Sequence, residues 1–389
     1  RRSLTDLFTT PTYDEYFKRI FQDTDLTNSN TISQNEQFYF YDVSAKFLYD
    51  ISEKDNIRVN ALNIYNDLNY DEEATINNVD EILNSKLTQR NLALGITYNR
   101  IWSDKVTTSA QLSLSNYDLD ATNFDVNSNQ RLIQENKVLD TGFKLHLTFK
   151  PDETINYFGG YQFSEVGVSN LEDVNNPVFR RLAKEVIRTH SIFNEIGFSS
   201  KSKKTNARIG LRTNYIEKFS EIYFEPRISF SQRFLSNFRI ELLGELKSQT
   251  TSQIIDLQND FLGVEKRRWV VSNNDDIPII KSKQFSAGLH YNKNKLLISA
   301  EAYIKEVEDI TTRSQGFQNQ YQFINAIGRY RIKGIDLLVN KQIANLSSWL
   351  SYSLSKNDYT FDDLNFGNDF PNNVDIRHSI KFGSSLTYN

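Results

Sequence analysis

The chain has no cysteine and no methionine, and only 6 prolines, 15 glycines and 4 histidines in 389 residues. Without cysteine there are no disulfides, no thiolate metal sites and no thiol nucleophiles. No stretch approaches the roughly 20 consecutive apolar residues that a spanning helix needs. Net charge is only −4, so composition gives no argument for a nucleic-acid partner. His146, His190, His290 and His378 lie far apart, and none has a second histidine at metal-ligand spacing. No Gly-rich phosphate loop and no Gly-x-Ser-x-Gly elbow is present. The carboxylate clusters Asp71-Glu72-Glu73, Asp275-Asp276 and Asp362-Asp363 fall in expected loops, where solvated loop charge competes with calcium binding. No enzyme chemistry, cofactor or metal is therefore expected. The chain opens Arg1-Arg2-Ser3 and stops inside an alternating run, Ser384–Asn389. The expectation is a segment, residues 1–389, of a longer protein cut at both ends.

What is present is sustained alternation with period two. In Tyr39–Ile51 the odd positions are apolar or aromatic, and the even ones include Asp42, Ser44, Lys46 and Asp50. Phe143, Leu145, Leu147 and Phe149 alternate with Lys144, His146, Thr148 and Lys150. Such runs are half-buried strands, not helices. About fifteen can be read, and many reach the roughly 9–11 residues of a tilted membrane strand.

The connectors between them alternate in length. Tight turns lie at Ser52–Asn56, Ser103–Lys105, Pro151–Glu153, Leu235–Asn237, Asn292–Lys295 and Ala344–Leu346. Extended polar loops lie between them at Asp67–Gln89, Tyr117–Val138, Ser164–Thr189, Lys247–Lys283, Glu306–Ile324 and Lys356–Asn373. Glu217–Glu221 breaks the parity by being short, and Ser199–Asn206 by being longer than the other turns. In an up-and-down barrel, odd and even connectors gather at opposite ends, short turns on the periplasmic side and long loops outside. The expected fold is all-β, a transmembrane antiparallel up-and-down β-barrel with a polar lumen. Low average hydropathy does not oppose it, because such a wall hides its apolar face at every second residue. Aromatics near strand ends (Tyr65, Tyr98, Trp102, Tyr117, Tyr215, Tyr223, Tyr291, Trp349 and Tyr388) fit interfacial girdles, or strand propensity alone.

The candidate ligand-binding residues sit in the longest loop. Arg267, Arg268 and Trp269, after Lys266, combine a carboxylate grip with a stacking surface, or else anchor the loop. Asn273 and Asn274 offer amide hydrogen bonds to a sugar or peptide, or shape a turn.

Several fragments then align in order. Glu225-Pro226-Arg227 resembles the "EPR" strand of TonB-dependent outer-membrane receptors. Gln284–Leu289 followed by Ser299–Lys305 is similar to their paired "S-x-G … E-x-Y-x-K" strands. Gly328 with Lys333-Gly334-Ile335-Asp336, then Trp349–Ser355, then Asp375-Ile376-Arg377-His378, resemble the strands that follow. Arg2–Asp6 and Thr10–Tyr13 also resemble wall segments. The resemblance implies a barrel of about 22 strands, filled by an N-terminal plug that lies, like the last strands, outside this segment. It implies the lipid bilayer as solvent and the cell outer membrane as location. It also implies a TonB-type energy-coupling protein reached through the missing N-terminal region, and admits a surface lipoprotein partner. The expected function is energy-coupled import of a scarce ligand such as a siderophore, glycan or peptide. The alternatives are a structural or assembly subunit built on a receptor-like barrel, and a passive porin-like channel. Wall strands report the fold and not the cargo.

Overall fold

The computed structural model describes residues 32–76, 79–125, 130–255, 267–314, 317, 321, 324–372 and 374–387. Arg2–Asp6, Thr10–Tyr13, Lys266 and Tyr388 lie outside that set. The strands are β1 (Ile32–Asp50), β2 (Asp55–Ile76), β3 (Val79–Ser103), β4 (Val106–Asp125), β5 (Gln130–Phe149), β6 (Ile155–Val174), β7 (Phe179–Ser199), β8 (Thr205–Ile216) and β9 (Glu221–Phe234). They continue with β10 (Phe238–Gln249), β11 (Thr251–Ile255), β12 (Arg267–Val271), β13 (Ile280–Lys293), β14 (Leu296–Thr311), β15 (Ile327–Ile343), β16 (Leu346–Thr360), β17 (Phe370–Pro371) and β18 (His378–Leu386). One 16-stranded sheet runs in chain order from β1 to β10 and on through β13 to β16, where both β17 and β18 pair. The hairpin β11–β12 stands outside it. Every pairing is antiparallel, as an up-and-down wall requires.

The strands are longer than the alternation alone implied. Much of the expected loops Asp67–Gln89, Tyr117–Val138 and Ser164–Thr189 is strand: β2–β3, β4–β5 and β6–β7 stay paired almost to their tips. The polar residues there hid the strands, because above the membrane the outward face need not be apolar. Thus Asp67 faces Thr88, Asp118 faces Lys137 and Glu165 faces Arg188 across neighbouring strands. The short link after β8 and the longer turn after β7 lie where the sequence placed them. At the short-turn end, Asn294-Lys295 and Leu235-Ser236 take left-handed backbone at both residues, the turn geometry that matches strand twist.

Register defines the two faces. Along β15, Arg331, Lys333, Ile335, Leu337 and Val339 are exposed, while Ile332, Gly334, Asp336, Leu338 and Asn340 are half-buried. Reading across β13–β18, the exposed face stacks in rows: Leu289–Ala300–Leu337–Tyr352–Ile380, then Tyr291–Ile298–Val339–Leu350–Phe382. Lys333 bounds this belt on one side and Lys341 on the other. The two are eight residues apart on β15, about 27 Å along a strand and about 20 Å in height at a tilt of ~40°. That approaches the apolar band of an outer-membrane barrel, about 25 Å tall. The opposite face carries Arg208, Arg212, Arg227, Glu225, Glu241, Glu245 and His290 by strand parity, and is the lumen. Of the aromatics near strand ends, Tyr65, Tyr98, Tyr215 and Tyr291 share the lipid face, whereas Tyr117, Tyr223 and Trp349 turn inward.

Two glycines of the family-like motifs have a steric cause. A Cβ on Gly334 would lie 2.5 Å from the Tyr303 ring, and one on Gly328 would lie 2.4 Å from the Phe361 ring. Each aromatic folds across the bare backbone of a neighbouring strand.

Leu337→Arg, at the middle row of the belt, should destabilise the protein in phospholipid vesicles by about 2–4 kcal/mol. Ser353→Lys, on the lumen side of β16, should change little, as denaturant titration will show. Above the belt, burial works to raise the Asp67 carboxyl, but Lys86 at 3.1 Å, Tyr65 and Thr88 together hold it below the usual range. A carboxylate depressed by folding stabilises above its unfolded value and stops doing so as pH falls through the folded one. Protection of the β2–β3 amides from hydrogen exchange should therefore weaken below about pH 4. In Asp67→Asn that pH dependence should be smaller.

Candidate ligand site at the mouth and lumen

At the long-connector end, the connector between β10 and β13 folds inward. Its hairpin β11–β12 lies against the inner face of β5–β7. Asn136 and Asn170, both on the lumen side, hydrogen-bond each other at 2.6 Å. Together they seize the backbone of Trp269: its N–H donates to Asn136 Oδ1 at 3.0 Å, and its carbonyl accepts from Asn170 Nδ2 at 3.1 Å. Below this clamp, Val271 and Ile279 pack with Val168, Ile187 and Ile216 of the wall, and the Trp269 side chain covers the cluster. Lys218, at the low β8–β9 tip, donates to Ser272 O at 3.0 Å and pairs with Glu185 at 2.5 Å.

The connectors of β14–β15 and β16–β18 form a second inward cluster. Phe317 stacks among Tyr359, Phe361 and Phe370, with ring centroids 4.9, 5.1 and 6.4 Å away, and is 2 % exposed. Burial beside Tyr330 pushes the Tyr359 hydroxyl up to about 12, so it stays protonated and accepts from Asn372 Nδ2 at 2.8 Å. The two clusters are joined. Ile254 bridges to Ser314, Ile255 N–H donates to Arg313 O at 2.9 Å, and Arg313 pairs with Asp276 at 2.5 Å. Three long connectors thus make one interlocked cap on the inner wall.

Beneath the cap the lumen wall offers two kinds of charged station. The first is cationic. Lys144 Nζ lies 5.0 Å from the Phe193 ring centroid, and the Arg212 guanidinium lies 5.9 Å from the same ring. Arg212 donates only to neutral acceptors: Asn214 Oδ1 at 2.8 Å, Gln162 Oε1 at 3.1 Å and Ser191 Oγ at 2.8 Å. Among the described residues neither cation has a carboxylate at ion-pair distance. The ring holds the two cations on its face, and together they suit an anionic group reaching them from the lumen. The second is mixed. Arg208, Glu195, Arg227 and Glu245 line a recess of about 330 Å³. Both stations can hold polar ligand groups, and neither brings together a nucleophile and a base.

The sequence candidates take distinct places. Trp269 is in the clamp. Asn273 folds back on its own loop, its Oδ1 accepting from the N–H groups of Asp275, Asp276 and Ile277. Asn274 is exposed, Arg268 is half-buried, and Arg267 belongs to β12 with its side chain outside the described set. The Lys144–Phe193–Arg212 station was not singled out in the sequence. Alternation places Lys144 on the polar face, but the three residues sit on three strands, and only the register brings them together.

Comparison with known proteins agrees with this architecture. The family model described as "TonB dependent receptor-like, beta-barrel" matches residues 3–389, so the chain belongs to the TonB-dependent receptor family, whose members are outer-membrane proteins of Gram-negative bacteria. The fold resembles the RagAB peptide transporter (TM-score 0.56, 12% identity, 85% of this chain and 48% of that one). It resembles the ferric citrate transporter FecA (TM-score 0.59, 9% identity, 90% and 61%). It also resembles the ferric yersiniabactin uptake receptor FyuA of Yersinia pestis (TM-score 0.57, 10% identity, 92% and 62%). The chain therefore spans between about half and three fifths of these structures, and the likeness at such identities is one of fold. No curated protein matches.

Phe317→Ala should loosen the cap by about 3–5 kcal/mol, the usual range for a buried phenylalanine. Hydrogen exchange should speed up at Ala326 and Leu364 while the β5–β7 wall stays protected.

Proposed function

We propose that the chain forms the wall and mouth of an energy-coupled importer of the outer membrane, taking up a ligand too scarce or too large for passive entry. The single observation that carries this reading is the inward-folded cap above a charged lumen wall. An interlocked set of loops at the mouth, with a cationic and a mixed station beneath it, serves to hold a ligand on its way in. The family supports the same reading, as do neighbours whose names describe transport of peptide and ferric citrate. In this reading a plug in the rest of the protein closes the lumen, and a TonB-type protein works on that plug from the other membrane. A surface lipoprotein over the mouth is admitted. The segment Arg267–Asn274 gathers ligand, with the exposed Asn274 foremost, and Lys144 with Arg212 receives an anionic group on the way down.

A strain lacking the parent gene, grown on limiting nutrients, tests the proposal. Loss of uptake of one nutrient class, restored by the intact gene, is expected. Complementation with Lys144→Glu/Arg212→Glu should leave at most about a tenth of that uptake, with normal amounts of folded barrel in the membrane. A defect in envelope assembly with every uptake intact would replace this reading by that of a structural subunit.

A further inference from the structure

On the lipid face, in the half of the belt next to Lys333, β13–β18 carry a trough that ordinary wall packing leaves open. Neighbouring outward positions Ala287, Ala300 and Ala302 are small, whereas the surrounding ones are Phe285, Leu289, Ile335 and Leu354. The resulting recess is about 540 Å³, within the range of small-molecule sites, about 300–1,000 Å³. Its floor is apolar. Its rim towards the long-connector end is Lys333, Lys356 and Arg377, with no carboxylate in the lining. Arg377 is held in place by Asp375 at 2.5 Å and Asp358 at 3.5 Å, and Lys356 also meets Asp358 at 2.5 Å. Lys333 has no ion pair among the described residues, which leaves one cation in excess over two carboxylates. A neighbouring recess of about 530 Å³, floored by Pro226 and Gly244, is different: Lys283 and Arg331 at its rim are both engaged by Glu306. Only the first recess presents net positive charge.

We propose that this first recess binds one phosphate-bearing acyl lipid of the leaflet at the long-connector end. The acyl chain lies in the alanine trough, and the phosphate lies between Lys333, Lys356 and Arg377. The trough opens on the face that the alternation gives to hydrocarbon, so its occupant is a lipid chain and not a water-soluble ligand. Its cations stand at the height where the apolar belt ends and head-group phosphates begin. A planar guanidinium already fixed by two carboxylates grips phosphate with little further ordering. This site is separate from the lumen and does not depend on what the protein imports.

The test uses the full-length protein purified in neutral detergent and native mass spectrometry. Dioleoyl phosphatidic acid, dioleoyl phosphatidylcholine and inorganic phosphate are each added. Phosphatidic acid should be retained about tenfold more tightly than phosphatidylcholine. Lys333→Glu should remove that preference while leaving both lipids weakly bound. Ala302→Phe, which fills the trough, should weaken retention of both. Inorganic phosphate should not displace the lipid. Equal retention of the two lipids by the unaltered protein would overturn the proposal, as would displacement by phosphate alone. So would full retention in Ala302→Phe. Heat-modifiable migration of each variant confirms that the barrel is folded.

Discussion

Hydrocarbon accepts no unpaired backbone amide, and everything else in this molecule depends on that restriction. It is met by antiparallel ladders that pass from β1 through β16 to β18 in chain order. Once each strand is committed to its neighbours, side chains must fall alternately to the two faces. One face can then be Leu, Ile and Phe for lipid, while the other carries Arg, Glu and Asn for an aqueous lumen. A conventional core is not needed across the membrane. The fully buried apolar residues, such as Val271, Phe317 and Phe361, gather instead at the mouth, where connectors fold against the inner wall.

The same ladders continue past the hydrocarbon. There the reason for alternating hydrophobicity disappears, and pairing is supported by cross-strand polar contacts. Lys137 beside Asp118 and Asp120 is one example, and Arg188 beside Glu165 is another. Exposed ion pairs of this kind each contribute little, typically below about 1 kcal/mol. Their effect is to satisfy charge on the outward face of tall strands that stand above the hydrocarbon.

This division explains what was legible in the sequence. Within the membrane, Tyr39–Ile51 and Phe143–Phe149 announce themselves by period two, and strand parity, lipid face and connector order follow. Above it, β2–β3 and β6–β7 read as loops, because Asp67 and Lys184 put charge on the outward face and the apolar-out alternation is lost. The ordered motifs after Tyr223 pointed to the family, and the close approach of Tyr303 and Phe361 gives Gly334 and Gly328 a physical cause. The mouth was legible only in part. Trp269 stood out as a residue, but its clamp depends on Asn136 and Asn170, more than 90 positions away. Lys144, Phe193 and Arg212 likewise share a place only through the register of four strands, which no local pattern encodes.

The longest connector is fastened to the barrel at Asn136, at Asn170 and at Lys218, and it is spliced to its neighbour at Ser314 and Arg313. A free arm of that length would have to be immobilised at the moment of capture, and the entropy lost would come out of the affinity. In the proposed importer, folding has already imposed that order on the described part of the connector, so a ligand would meet a preorganised surface and keep more of its contact energy as residence time.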